Sequence, residues 1–217
     1  VAVDLDTGDR TVLSDDGTGS GPSLAGRAIA VDAASSRALI PDDGLQGVYA
    51  VDLQTGNRSV LSGSGQGPTI DQPSDIAVDV AGGRALVTET PNYAGDTTRE
   101  VIAVDLDDGS RTILSNNSGV GSGPAFDGRP RAIGVNAAEE RALVLTPNGI
   151  FGIDLGTGNR SIVSNRMNGG GVDFDNAFKS AFDAAGRRTI VYDIGIEGFV
   201  LVNLAPQAPA DRALISQ

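Results

Sequence analysis

An all-β fold assembled from a repeated unit of four short antiparallel strands is predicted by three features of this sequence. A hairpin-like stretch returns five times, at residues 1–14, 48–62, 101–115, 150–164 and 199–216. The last position of its first strand recurs as Asp4, Asp52, Asp105, Asp154 and Asn203, at intervals of 48, 53, 49 and 49 residues. Between the copies lies a second kind of hairpin, at residues 28–40, 76–88, 132–145 and 181–192, so each period carries four strands. A period of about 49 residues with four strands is the spacing of β-propeller blades; a β-helix repeats at much shorter range, and a sandwich does not reproduce sequence at a fixed interval. The expected architecture is one propeller over residues 1–217. It comprises an outer half-blade at 1–14 and four full blades at about 27–62, 75–115, 131–164 and 180–216.

The elements justify themselves in order, with strands A to D running from the inside of each blade outwards. Residues 1–14, VAVDLDTGDRTVLS, read as strands C and D around a tight turn. A polar, glycine-rich loop follows, then RAIAVD at 27–32 and RALI at 37–40, which are strands A and B. VYAVDLQTGNRSVLS at 48–62 supplies the next C and D, and the cycle repeats three times. Each C–D turn carries Asp, then Gly four and Arg six residues on, as in Asp52, Gly56 and Arg58; the last copy loses the glycine. The glycine suits a positive φ, and the aspartate suits an Asx-type bond to turn amides. The A–B turns pair Asp32 with Arg37, Asp79 with Arg84, Asn136 with Arg141 and Asp183 with Arg188. Residues needed in every blade are assigned to the scaffold, with the arginines bridging blades or capping carbonyls. Gly21-Pro22, Gly67-Pro68 and Gly123-Pro124, each after a strand D, are read as turns.

The wording Ile-Ala-Val-Asp, Arg-Ala-Leu-Val, Ala-Val-Asp-Leu along strands A, B and C resembles the NHL and SMP-30/gluconolactonase type of propeller over the whole chain. The resemblance implies the same fold. It also implies looking for a divalent metal over the central channel, near the starts of the inner strands. The corresponding positions are Arg27, Asp75, Arg131 and Lys179, three cations in four, which departs from a lactonase-type ligand set.

Composition excludes several function classes. Twenty-eight acidic groups against sixteen basic ones, net charge -12, repel nucleic-acid phosphates and anionic lipid. Cysteine is absent, which removes disulfides and thiolate chemistry; histidine is absent, which removes Ser-His-Asp catalysis and histidine metal sites. No apolar run approaches the roughly 20 residues of a membrane-spanning helix. No residue is assigned a catalytic role. What survives is carboxylate chemistry, and the densest oxygen cluster, Asp173, Asp175 and Asn176, is the candidate site for calcium.

In a four-stranded meander the B–C and D–A loops share one face, and most of the acids outside the repeated positions fall in them. Asp42, Asp43, Asp75, Glu89, Asp193 and Glu197 are therefore the candidate ligand-binding acids, with Tyr93 placed to stack on a sugar. The resulting expectation is a non-catalytic, exported module of bacterial type, extracellular or periplasmic, that binds a protein or carbohydrate through an acidic face. One alternative is a calcium-dependent hydrolase or lactonase. Another follows from five C–D pairs set against four A–B pairs: part of a longer propeller, or a structural subunit closed by strand exchange through the unpaired hairpin at 1–14. Neither nucleic acid nor membrane insertion is expected.

Overall fold

The computed structural model describes residues 1–89, 98–183, 187–204 and 211–216. Strands β1 (Ala2–Val3) and β2 (Arg10–Thr11) form a two-stranded sheet, the half-blade I. Blade II is β3 (Ala30–Asp32), β4 (Arg37–Asp42), β5 (Gly47–Asp52) and β6 (Arg58–Ser62). Blade III is β7 (Pro73–Asp79), β8 (Arg84–Glu89), β9 (Glu100–Asp105) and β10 (Arg111–Asn116). Blade IV is β11 (Ala132–Asn136), β12 (Arg141–Thr146), β13 (Gly149–Asp154) and β14 (Arg160–Asn165). Blade V is β15 (Ala177–Asp183), β16 (Arg188–Asp193), β17 (Gly198–Asn203) and β18 (Arg212–Ser216). Each is an antiparallel meander, and the inner strands β3, β7, β11 and β15 stand side by side. This is a β-propeller arrangement of four-stranded blades.

The core lies between blades. Leu39, Val48, Val87 and Ile102 fill the joint of blades II and III, and Phe151, Ile153 and Val144 help fill that of III and IV. Val163, Val191 and Val200 contribute to the joint of IV and V. An interior blade is covered on both faces, so β8 reads as the continuous run Ala85–Leu86–Val87. Blade V is covered on one face: Thr189, Val191 and Asp193 are buried, while Ile190, Tyr192, Phe199 and Leu214 remain 36–43% exposed.

The repeated arginines latch each blade to the loop that leaves the previous one. Arg160 Nε donates to the Pro124 carbonyl at 2.8 Å, and its Nη1 donates to Ser115 Oγ at 2.6 Å and to the Val120 carbonyl at 3.1 Å. Arg58 repeats this with Pro22, Ser14 and Asp15, and Arg212 with Val172, Ser164 and Asn165. Arg111 departs from the pattern, reaching the Gln46 and Gly63 carbonyls. The serine receiver is aimed by a bulge: in blade III, Ile113 faces Ile102 but Ser115 faces Val101, leaving Leu114 unpaired, and blades II, IV and V carry the same shift. The bulged carbonyl in turn presses on the next C–D turn, where Gly158 sits at φ 73° and a Cβ would collide with the Leu114 oxygen. The glycine is thus fixed by both backbone angle and approach. A–B turns make a second tie: Arg37 bonds Asp32 at 2.8 Å and reaches the Leu106 carbonyl of the next blade at 2.7 Å.

Candidate binding site at the mouth of the channel

Where the inner strands begin and the B strands end, a cavity of about 470 Å³ opens on the propeller axis. Three blades send cations into it: Arg27 from blade II, Arg129 and Arg131 from blade IV, and Lys179 from blade V. Phe178 and Pro73 are among its apolar walls, and Asp43 is the single acid among the described residues that line it.

The base is held by bonds across the inner strands. Lys179 Nζ donates to the Ser74 carbonyl of blade III at 3.0 Å and to the Arg131 carbonyl of blade IV at 3.3 Å, and lies 3.8 Å from Asp75 Oδ1. Asp75 Oδ2 accepts from the Ile133 amide at 3.0 Å. Burial pushes the Asp75 carboxyl above the usual carboxylate range, against the opposing pull of the Lys179 charge and the Ile133 amide. Arg131 Nη1 donates to Asn176 Oδ1 at 2.7 Å and to the Ala177 carbonyl at 2.8 Å, and its guanidinium carbon lies 5.6 Å from the Phe178 ring centroid. Burial lowers its pKa; the Asp193 charge pulls the other way, and the neighbouring Arg129 charge adds to the lowering. Arg27 and Arg129 are exposed, and among the described residues neither makes a hydrogen bond or ion pair.

The acids expected on this face divide into two groups. Asp43 and Glu197 are exposed and Asp75 is half-buried. Asp42, Glu89 and Asp193 are buried, 2%, 2% and 0% exposed, and so differ from the expectation of a solvent-facing acidic surface. Each closes a strand B, and its carboxylate caps the amides of the D–A loop beside it. Asp42 Oδ2 accepts from Ala25 at 2.8 Å, Glu89 Oε1 from Asp71 at 2.7 Å, and Asp193 from Asp175 at 3.0 Å and Asn176 at 2.9 Å. Glu89 Oε2 is buried without a hydrogen-bond partner among the described residues, and desolvation, with the Glu100 and Asp71 charges, outweighs the amides and lifts the carboxyl to about 7. Tyr93 lies outside the described residues.

The Asp173, Asp175 and Asn176 cluster does not converge. Phe174 between them is buried against Arg212, at 5.4 Å, as Phe126 is against Arg160. Asp173 pairs with Arg212 at 3.1 Å, Asn176 Oδ1 is taken by Arg131, and Asp175 stands exposed beside Gly195. Among the described residues no group of three or more acidic side chains is gathered as a metal site.

Sequence reasoning passed over Arg129 and Phe178 and read Arg27 only as a missing ligand. A signal for them was present. Setting aside the nine arginines at repeated positions leaves seven of the sixteen basic residues, and four of those seven line this one cavity. Guanidinium groups keep their charge and donate without accepting, so the three arginines are suited to holding an acceptor group rather than to exchanging protons with it.

Fold and site together define a β-propeller with a cationic channel mouth. No family model matches the chain, and no curated protein matches it. Solved structures do. The nidogen/laminin complex contains a chain similar at TM-score 0.69 and 15% identity, over 93% of this chain and 66% of that one. Hydrazine synthase of Kuenenia stuttgartiensis is similar at TM-score 0.63 and 16% identity, over 93% of this chain and 53% of that one. An auxiliary nutrient binding protein of Bacteroides thetaiotaomicron is similar at TM-score 0.64 and 8% identity, over 88% and 41%. At such identities the likeness shows the fold alone, and this chain spans less than two thirds of the length of each.

Proposed function

We propose that this chain is a non-catalytic binding module of an exported protein, which takes its ligand on the loop face at the mouth of the channel. The observation that carries the reading is the 470 Å³ cavity, within the range of small-molecule sites and placed where loops on a rigid scaffold converge. Its charged groups are suited to holding a ligand. The lactonase alternative drawn from the NHL and SMP-30 resemblance calls for oxygen ligands at the axis, and Arg27, Arg131 and Lys179 occupy three of those four positions. Calcium at Asp173 and Asp175 finds no support in a cluster whose members face separate partners. Two similar structures bear on the setting: one is named as an auxiliary nutrient binding protein, another as the extracellular domain of a putative hybrid two-component system.

Phe178→Trp puts a single tryptophan on the cavity wall of a protein that has none. A panel of anionic, neutral and cationic aromatic probes should include at least one that shifts its emission saturably. No response to any probe up to about 10 mM, a free energy near -3 kcal/mol, would remove the binding reading. Calcium at millimolar levels should leave both emission and melting midpoint unchanged.

A further inference from the structure

The cavity selects a charge that the whole-chain composition does not suggest. Four cationic side chains from three blades line it, and among the described residues one lining acid, Asp43, opposes them. Two of the four are already engaged: Lys179 with carbonyls of neighbouring blades and Asp75, Arg131 with Asn176 and the Ala177 carbonyl. The other two, Arg27 and Arg129, face the opening from blades II and IV with no bonded partner among the described residues. A planar guanidinium without a partner at the lip of a half-apolar cavity is suited to bidentate bonding of an oxyanion. Beside them Phe178 is 44% exposed, and Pro41, Pro73 and Pro130 continue the apolar wall. The Phe178 ring and the proline rings offer a good surface for a flat apolar group.

Resting on the binding reading above, we infer that the cavity takes a small molecule in which a carboxylate or phosphate is joined to a flat apolar group, with Arg27 and Arg129 engaging the oxyanion and Phe178 seating the apolar part. Asp43 at the rim discriminates against a second negative charge on the outer side of the ligand. Lys179 and Arg131 set the positive potential of the base without leaving their own partners.

Calorimetric titration of the full chain with benzoate, phenyl phosphate, inorganic phosphate, benzyl alcohol and benzylamine tests this. Benzoate or phenyl phosphate should bind saturably, inorganic phosphate at least about tenfold more weakly, and benzyl alcohol and benzylamine not measurably. Arg27→Ser and Arg129→Ser should each weaken the anion about tenfold, and together about a hundredfold, with no change in melting midpoint because neither side chain supports the fold. Comparison of benzoate with phenyl phosphate decides between carboxylate and phosphate as the preferred head group. Unchanged anion affinity in the double variant overturns the inference, as does benzyl alcohol or benzylamine binding as tightly as the anions. Inorganic phosphate binding as tightly as phenyl phosphate overturns the apolar half. Binding of only the neutral or cationic probe would sink the charge assignment while leaving a ligand site; binding of none would sink both.

Discussion

Replacing Arg160 with alanine should destabilise the protein by ~3 kcal/mol, from what its guanidinium holds. Three hydrogen bonds leave it, to Pro124, Ser115 and Val120, and the Phe126 ring centroid lies 5.4 Å away. Bonds from a charged donor contribute about 1.5–3 kcal/mol each, which would give more than the figure stated. Against this stands the cost of burying a guanidinium with no carboxylate to pair it, several kcal/mol, and that same burial lowers the Arg160 pKa. The two largely offset. What the alanine variant leaves is two acceptors stripped of their donor in a closed joint, the fully buried Ser115 hydroxyl and the Pro124 carbonyl, at about 1–2 kcal/mol apiece. For a chain of 217 residues each kcal/mol shifts the midpoint by about 2–4 °C, so the loss is about 6–12 °C. Thermal melting by circular dichroism measures it, and amide exchange should locate the loosening at the joint of blades III and IV, since repeats couple to their neighbours. Arg160→Lys retains the charge without the fork and should fall between. A midpoint within about 2 °C of the parent for Arg160→Ala would refute the latch.

Glu89→Gln should be neutral near pH 4.5 and stabilising above pH 7, by up to ~3 kcal/mol, read from urea unfolding across that range. The sign follows from the raised folded pKa, about 7 against 4.5: Glu89 costs the protein stability as pH rises through that window, and glutamine removes the cost. A gain at low pH, or none at pH 8, would contradict this account of the orphan oxygen. Gly158→Ala should destabilise by at least ~2 kcal/mol, because a left-handed φ and the Leu114 carbonyl both oppose a Cβ. An equal urea midpoint would show that the turn can relax around it.

The repeat was legible because backbone geometry writes itself into sequence at every period. Asp52, Gly56 and Arg58 satisfy demands set by local turn amides, a positive φ and an adjacent loop, and each blade must meet them again. The acids on the loop face were harder to place because their partners are also repeated but spread over two segments. Asp42, Glu89 and Asp193 bond amides about 17 residues earlier in chain order, beside the loop anchors Ile70 and Phe174 and the half-buried Leu24. The stretches GPSLA at 21–25, GPTID at 67–71, GPAFD at 123–127 and VDFD at 172–175 held that second repeat, and through it the scaffold role of the Asp173 cluster. The cavity was the least legible feature. It takes two to five residues from each of four blades, and although Arg27, Arg131 and Lys179 stand at corresponding positions of the repeat, Arg129 and Phe178 fall where the blades differ and no period marks them.

The net charge of -12 and the cationic mouth point to opposite ligand classes, and distance decides between them. Exposed acids of the C–D turns, Asp4, Asp52 and Asp154, sit at the far ends of their strands from the loops that bear Arg27 and Arg129. A six-residue strand spans about 20 Å, more than twice the screening length of about 8 Å in physiological salt. Those acids therefore govern solubility and long-range encounter, and at that range they repel an anion. Once a ligand reaches the mouth, the nearest charges are the four cations and Asp43 that line the cavity, while the neighbouring acids Asp75, Asp42 and Asp193 are turned to Lys179 and to backbone amides. The scaffold makes this separation possible by satisfying its own ions internally: Asp52 and Asp154 bond turn amides, Arg58 and Arg160 bond carbonyls and a serine hydroxyl, and in the A–B turns Asp32 and Asp79 pair with Arg37 and Arg84. None of these scaffold ions engages Arg27 or Arg129, which leaves the two guanidiniums at the rim without a bonded partner among the described residues.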